Sequence, residues 1–243
     1  MASPQRTIPT QRVRHTLYTL IFGSAVCIGM LLVRFTVTGK MHYGGLFGNL
    51  LLAWIPMLLA LFIWRMPSGG SRGWFWVTLI LWILFYPNAF YITTDFVHLK
   101  TSGVFRWFDI LMTMSFAVGG MFLGCLSLYL LHLFVRQRFG WWVGWLFAGG
   151  TLALGSFGIY LGRVLRWNSW DVVARPLKLA GDAVNLVEPH NAKEATAFSV
   201  TFFFFSLAVY SFVVSMARLH EGEAPPPAGQ GSSDGGGVAQ SGN

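Results

Sequence analysis

The stretch ATAFSVTFFFFSLAVYSFVVSMA, residues 195–217, holds no Lys, Arg, Asp or Glu, and its only side-chain polar groups are hydroxyls. A helix of about 20 apolar residues, rising about 1.5 Å per residue, crosses the roughly 30 Å of a bilayer's hydrocarbon. Working back along the chain, five more segments are equally free of charged residues: 16–33, 41–64, 73–94, 110–135 and 139–162. Together they predict an all-α, integral membrane bundle of six transmembrane helices.

The composition agrees with that. Of the 243 residues, 54% are hydrophobic and only 11% charged, whereas an ordinary soluble domain is about 25% charged. A soluble enzyme, a disulfide-stapled secreted domain and a disordered regulator are all excluded. The net charge of +8 would point a soluble protein toward nucleic acid. Here the Lys and Arg residues sit between apolar runs, where they meet phospholipid headgroups, and no basic stripe interleaved with aromatics exists to hold a nucleic acid. The two cysteines, Cys27 and Cys125, each lie inside an apolar run without metal-knuckle or CxxC spacing, and read as small buried hydrophobes.

Three regions follow. Residues 1–15 form a basic N-terminus, 16–217 the six-helix domain, and 218–243 a tail rich in Gly, Pro and Ser with little to bury, expected to be disordered. The first apolar run follows Arg6, Arg12 and Arg14 but lacks a small-x-small cleavage site after it, so it is expected to remain as a signal anchor. Between the fifth and sixth spans, Val173, Leu177, Ala180, Val184 and Val187 recur at helical spacing. They predict a short interfacial helix, either a lid over a polar site or a plain connector.

Lys and Arg divide almost evenly between the two faces, so charge counting does not orient the chain. Every acidic residue before the tail, however, falls in the third or fifth interval, which share one face in either orientation. The leading arginines of the first span favour a cytoplasmic N-terminus in a cell membrane, with the acidic face outside.

That face carries two compositionally odd blocks. The first, FYPNAFYITTDFVHLKTSGVFRWFD (85–109), places Asn88, Tyr91, Asp95 and His98 on one stripe if the helix continues past Pro87. A carboxylate and an imidazole three residues apart are neighbours on a helix and can share a proton or a metal, so Asp95 and His98, helped by Asp171 or Asp109, are the metal-ligand candidates. Asp109 closes the block. The second, GSFGIYLGRVLRWNSWDVVARP (155–176), supplies Tyr160, Arg163, Arg166, Asn168 and Asp171.

Each of these residues also has a plain role. Arg163 and Arg166 at a helix end anchor headgroups, Trp107, Trp167 and Trp170 fill an interfacial belt, and His98 hydrogen-bonds locally. Asp95 is harder to place so simply, because a carboxylate after a long uncharged run needs a partner or water. Arg163 or Arg166 would serve, tying the third helix to the fifth. Gly120 with Gly124, and Gly155, Gly158 and Gly162, have spacings that let helix backbones approach closely.

The blocks PNAFYITTDFVHL, RWFD and GIYLGRVLRWNSWD resemble the hallmark segments of a bacterial membrane-protein family catalogued as domain of unknown function 1361, over roughly residues 45–215. Where that family often has a second proline, this chain has Phe90. The resemblance implies a polytopic membrane domain and brings no activity, cofactor or substrate with it.

The expected function is therefore a multi-pass membrane protein. Its one-sided polar pocket of Asn88, Tyr91, Asp95, His98, Asp109, Tyr160, Arg163, Arg166, Asn168 and Asp171 would bind a lipid headgroup, a small anion or a partner protein. One alternative is a metal-dependent interfacial hydrolase or transferase acting on a lipid-linked substrate, although no HExxH or nucleophile-elbow motif is present. A second is a small transporter, which the chain's lack of internal symmetry disfavours. No cofactor is identified from the sequence.

Overall fold

The computed structural model describes residues 10–39, 43–66, 71–98, 106–164 and 189–221. Among the described residues six α-helices run in order: α1 (Thr10–Thr38), α2 (Gly44–Arg65), α3 (Arg72–Tyr91), α4 (Arg106–Phe139), α5 (Trp141–Arg163) and α6 (Pro189–Glu221), with a 3-10 turn at Ile92–His98 after α3. All six contain stretches long and apolar enough to cross a membrane, and no strand occurs among the described residues. The expected interfacial helix, residues 173–187, lies outside the described residues, as does the tail after Glu221; its first four residues, 218–221, continue α6.

The helices overrun the uncharged segments at several ends. α1 takes in Arg12, Arg14 and Arg34, and α4 takes in Arg106, Asp109, Arg136 and Arg138. Exposed tryptophans occur at both ends of the bundle, Trp74 and Trp142 at one and Trp107 at the other, where amphipathic rings settle at the bilayer boundary.

α4 is the central helix and touches every other one, whereas α1 rests against α4 and a little of α2. Half of the apolar window of α4 is buried, against 6% for α1. The core is built from Trp82, Tyr86 and Phe90 of α3, Phe116 and Leu128 of α4, and Leu50 of α2. Polar links between spans are few. Trp54 Nε1 donates to Ser24 Oγ across 3.0 Å, and His132 Nδ1 shares a 2.7 Å hydrogen bond with the Tyr210 hydroxyl. Without water to compete, such bonds are worth roughly 0.6–2 kcal/mol between membrane helices.

Glycine decides where the last turn of α3 is seated. A Cβ at Gly120 would stand 2.5 Å from the Ala89 carbonyl oxygen, and one at Gly124 would stand 2.7 Å from Phe90 Cε2. From the other side, a Cβ at Gly158 would meet Pro87 Cγ at 2.6 Å, and one at Gly155 the Tyr86 ring at 3.0 Å. The last turn of α3 is thus seated between bare backbone on α4 and bare backbone on α5. This is the packing groove expected of Gly155 and Gly158, and its occupant is α3.

The expected continuous stripe past Pro87 is corrected by the structure. α3 does pass through Pro87, but regular α-helix stops at Tyr91. The next residues, Ile92, Thr93 and Thr94, are β-branched and poor helix formers. The Thr93 and Thr94 hydroxyls then bond the carbonyls of Phe90 and Tyr91, both at 2.6 Å, taking acceptors the helix ladder would use. The backbone tightens to three residues per turn, so the single α-helical period that aligned Asp95 with Asn88 and Tyr91 does not continue past Tyr91.

Gly120→Ala forces its methyl onto a backbone carbonyl that has no free rotamer to yield. It is expected to destabilise the bundle by about 1–3 kcal/mol, the cost of overpacking. Gly150→Ala, where the added Cβ meets nothing within 4 Å, is expected to be neutral or to stabilise by up to about 1 kcal/mol through helix propensity. Thermal unfolding of the detergent-solubilised variants distinguishes the two.

Candidate functional site

The chain direction brings the end of α1, the start of α2, the end of α3 with its 3-10 turn, the start of α4 and the end of α5 to one end of the bundle. Two ion pairs form there among the described residues.

The first pair joins α1 to α4. Arg34 grips Asp109 with a two-pronged fork, Nε to Oδ1 at 2.5 Å and Nη2 to Oδ2 at 3.0 Å, the strongest geometry for this pairing. The Tyr43 hydroxyl donates to the same Oδ2 at 3.1 Å. Burial pushes the Tyr43 phenol above its ordinary pKa, and its hydrogen bond to the carboxylate raises it further, so Tyr43 stays protonated and acts as a donor. Asp109 is only 4% exposed. It also sits in the first turn of α4, where the helix dipole favours a negative charge.

The second pair joins α5 to the 3-10 turn. Arg163 Nη1 donates to Asp95 Oδ1 at 3.2 Å, and Nη2 donates to the Thr94 carbonyl oxygen. The guanidinium carbon lies 5.3 Å from the centre of the Tyr91 ring, within cation–π range. Tyr91 in turn reaches the Gly162 carbonyl at 3.4 Å. From α2, Asn49 Nδ2 donates to the other carboxylate oxygen, Asp95 Oδ2, at 2.8 Å. Asp95 is thereby held by two helices at once, and both of its oxygens are engaged. The pair is not sealed off: the side chains of Arg163 and Asp95 are 16% and 13% exposed.

Of the ten residues picked from the sequence, Tyr91, Asp95 and Arg163 come together in this cluster. Asn88 is half-buried one turn earlier on α3. Asp109 belongs to the other pair. Tyr160 is buried and turns toward α6, its ring 5.8 Å from that of Phe198. The side chain of His98 and all of Arg166, Asn168 and Asp171 lie outside the described residues. Sequence reasoning missed Arg34, Tyr43 and Asn49. Asn49 sits in an uncharged run and gave no signal. Arg34 had been assigned to headgroups, yet an acidic residue at the same end of the bundle was already a clue to its partner.

Among the described residues, no three His, Cys, Asp or Glu side chains gather as a metal site. A carboxylate whose oxygens already accept from a guanidinium and an amide is suited to fixing those donors in place.

Residues 49–209 match the model of the family described as protein of unknown function (DUF1361). The chain belongs to this family. The matched region of the DUF1361 chain holds Asn49, Asp95, Asp109 and Arg163, whereas Arg34 and Tyr43 stand before it. No curated protein and no solved structure matches the chain.

Arg34→Leu leaves Asp109 buried without its cation, and the expected loss is about 3–5 kcal/mol. The double variant Arg34→Leu/Asp109→Leu removes both charges and is expected to recover most of it. A double-mutant cycle on thermal unfolding in detergent measures the coupling.

Proposed function

We propose that this multi-pass membrane protein of the DUF1361 family uses the polar end of its bundle as a binding site centred on Arg163, for a lipid headgroup, a small anion or a partner protein. The observation that carries this reading is the state of Arg163. Among the described residues, its bonds to Asp95 and to the Thr94 carbonyl take one N–H of each terminal nitrogen, while a guanidinium offers five N–H groups. The acceptors and the Tyr91 ring orient the group, and donors remain for a ligand arriving from the bilayer boundary. Pre-orientation of this kind lowers the entropic cost of binding. The hydrolase alternative is less well supported, because the carboxylate it needs as a metal ligand already holds Arg163 and Asn49.

The binding end is placed on the outer side of a cell membrane, with the basic N-terminus in the cytoplasm. Six spans return the C-terminus to the side of the N-terminus. Reporter fusions at the two ends are expected to report the cytoplasm alike, and an outside signal from either reverses the assignment.

Arg163→Ala is expected to insert, to unfold below the wild-type temperature because Asp95 loses its cation, and to lose co-purifying lipid or partner. Arg163→Lys keeps the charge without the fork and is expected to retain only part of the binding. Mass spectrometry and pull-down on the purified full chain check both. Unchanged lipid and partner profiles for Arg163→Ala would sink the proposal.

A further inference from the structure

The two ends of the bundle are charged differently. At the end where α1 begins, the intervals 1–15, 65–72, 136–138 and 218–243 of the full sequence carry eight basic residues, every one an arginine, while all four lysines belong to the opposite end. The carboxylates on this side are Glu221, Glu223 and Asp234, all in the tail. The segments that close α2, open α3 and join α4 to α5 hold none. With every residue of the chain counted, this end carries a surplus of guanidinium groups.

Ring packing brings two of these arginines to one level. Phe75 of α3 lies against Phe134 of α4, their ring centres 5.8 Å apart. Arg72 is three residues before Phe75 and Arg138 four after Phe134, and α3 and α4 run in opposite directions. Each arginine therefore stands about one turn beyond its ring, on the ring's face of the helix and toward the same end. Both are exposed, and among the described residues neither has a carboxylate partner, since both ion pairs belong to the opposite end. Arg72 also opens α3, where the helix dipole disfavours a cation. Arg65 at the end of α2 and Arg136 in the last turn of α4 add two more exposed cations. Neighbouring guanidinium groups repel, and an anion between them replaces that repulsion with charge-assisted hydrogen bonds from both.

The flank of α3 favours a lipid as the bearer of that anion. From Arg72, the exposed side chains of Trp76, Ile80 and Ile83 follow at i+4, i+8 and i+11, a ridge turned to hydrocarbon along the span. Trp76 comes one turn after Arg72, at the depth where an indole meets the headgroup boundary. A phosphate at Arg72 thus has acyl-chain territory directly beside it on the same helix.

Independently of any role of Arg163, we propose that Arg72 and Arg138 share the phosphate of an anionic phospholipid whose acyl chains stand along the exposed ridge of α3. Arginine suits this seat better than lysine, because its planar fork engages two phosphate oxygens at once. A zwitterionic lipid is disfavoured, because it brings an ammonium into a group of cations.

The test uses the purified full chain in detergent. It is equilibrated with an equimolar mixture of glycerol, ethanolamine and choline phospholipids of identical chains, and retained lipid is counted by native mass spectrometry. Wild type is expected to retain the anionic glycerol lipid over either zwitterionic lipid by at least about fivefold, the scale of one to two basic side chains at a lipid surface. Arg72→Gln/Arg138→Gln is expected to abolish that preference. Arg12→Gln/Arg14→Gln, which removes the same charge from the same end but from α1, is expected to leave it unchanged. Lipid held at Arg163 is common to all three proteins and cancels in the comparison. Absence of a preference in wild type overturns the proposal, and so does an equal loss in the two double variants, which makes the attraction a diffuse one without a seat. Displacement of the lipid by inorganic phosphate at equal concentration overturns it as well, by making this a free-anion site. A preference seen only after Glu221→Gln/Glu223→Gln/Asp234→Asn overturns it in favour of the tail as the occupant.

Discussion

A carboxylate at the edge of a hydrocarbon slab has to be neutralised, and the polar end of this protein is arranged around that requirement. Asp95 and Asp109 each meet an arginine from a different helix. An isolated charge held there would cost several kcal/mol, so each pair dictates which helices must be neighbours. Asp109 recruits α1, a helix with little other burial, and Asp95 recruits α5, with Asn49 bringing in α2. The end of the bundle therefore depends on charge matching at points where apolar packing alone leaves a helix at the edge.

The pairs form only because the backbones are brought close enough. The last turn of α3 reaches its place because α4 offers Gly120 and Gly124, and α5 offers Gly155 and Gly158. Side chains at those positions would hold α3 away, and the 3-10 turn carrying Asp95 would move with it. The hydrophobic effect does not drive helix association within lipid; close van der Waals contact and hydrogen bonds do. The glycines supply the contact, and the arginines and Asn49 supply the hydrogen bonds.

Six helices were legible in the sequence because the bilayer imposes a length and forbids uncompensated charge, and both leave a plain record in the residues. The helix ends were less legible for the same reason. Ending each segment at its first charge placed Arg34 and Asp109 outside the helices, whereas pairing lets both stay inside. The partnership of Asp95 with an arginine of the fifth helix could be anticipated from its cost in lipid. That of Asp109 with Arg34 was signalled only by their lying at the same end of the bundle, where nothing in the sequence chose Arg34 over the other basic residues. His132 and Tyr210 carry no formal charge in an apolar run, so nothing distinguished their buried contact. The stripe from Asn88 to His98 assumed one helical period, and the hydroxyls of Thr93 and Thr94 changed that period at Tyr91.

The two ion pairs use the same functional groups and differ in how completely they are consumed. Arg34 presents its fork edge-on, so both oxygens of Asp109 are taken by one cation, and Tyr43 covers what remains. Asp109 is buried there, although Arg34 is as exposed as Arg163, and the pair is part of the frame. Arg163 meets Asp95 through a single nitrogen and spends another on a backbone carbonyl, so among the described residues the two carboxylate oxygens of Asp95 are shared between a cation and the Asn49 amide. A saturated pair can only hold helices together. The second pair, fixed in position by Asn49 and Tyr91, holds helices through bonds to two different donors. Pairing geometry, more than residue type, separates the two.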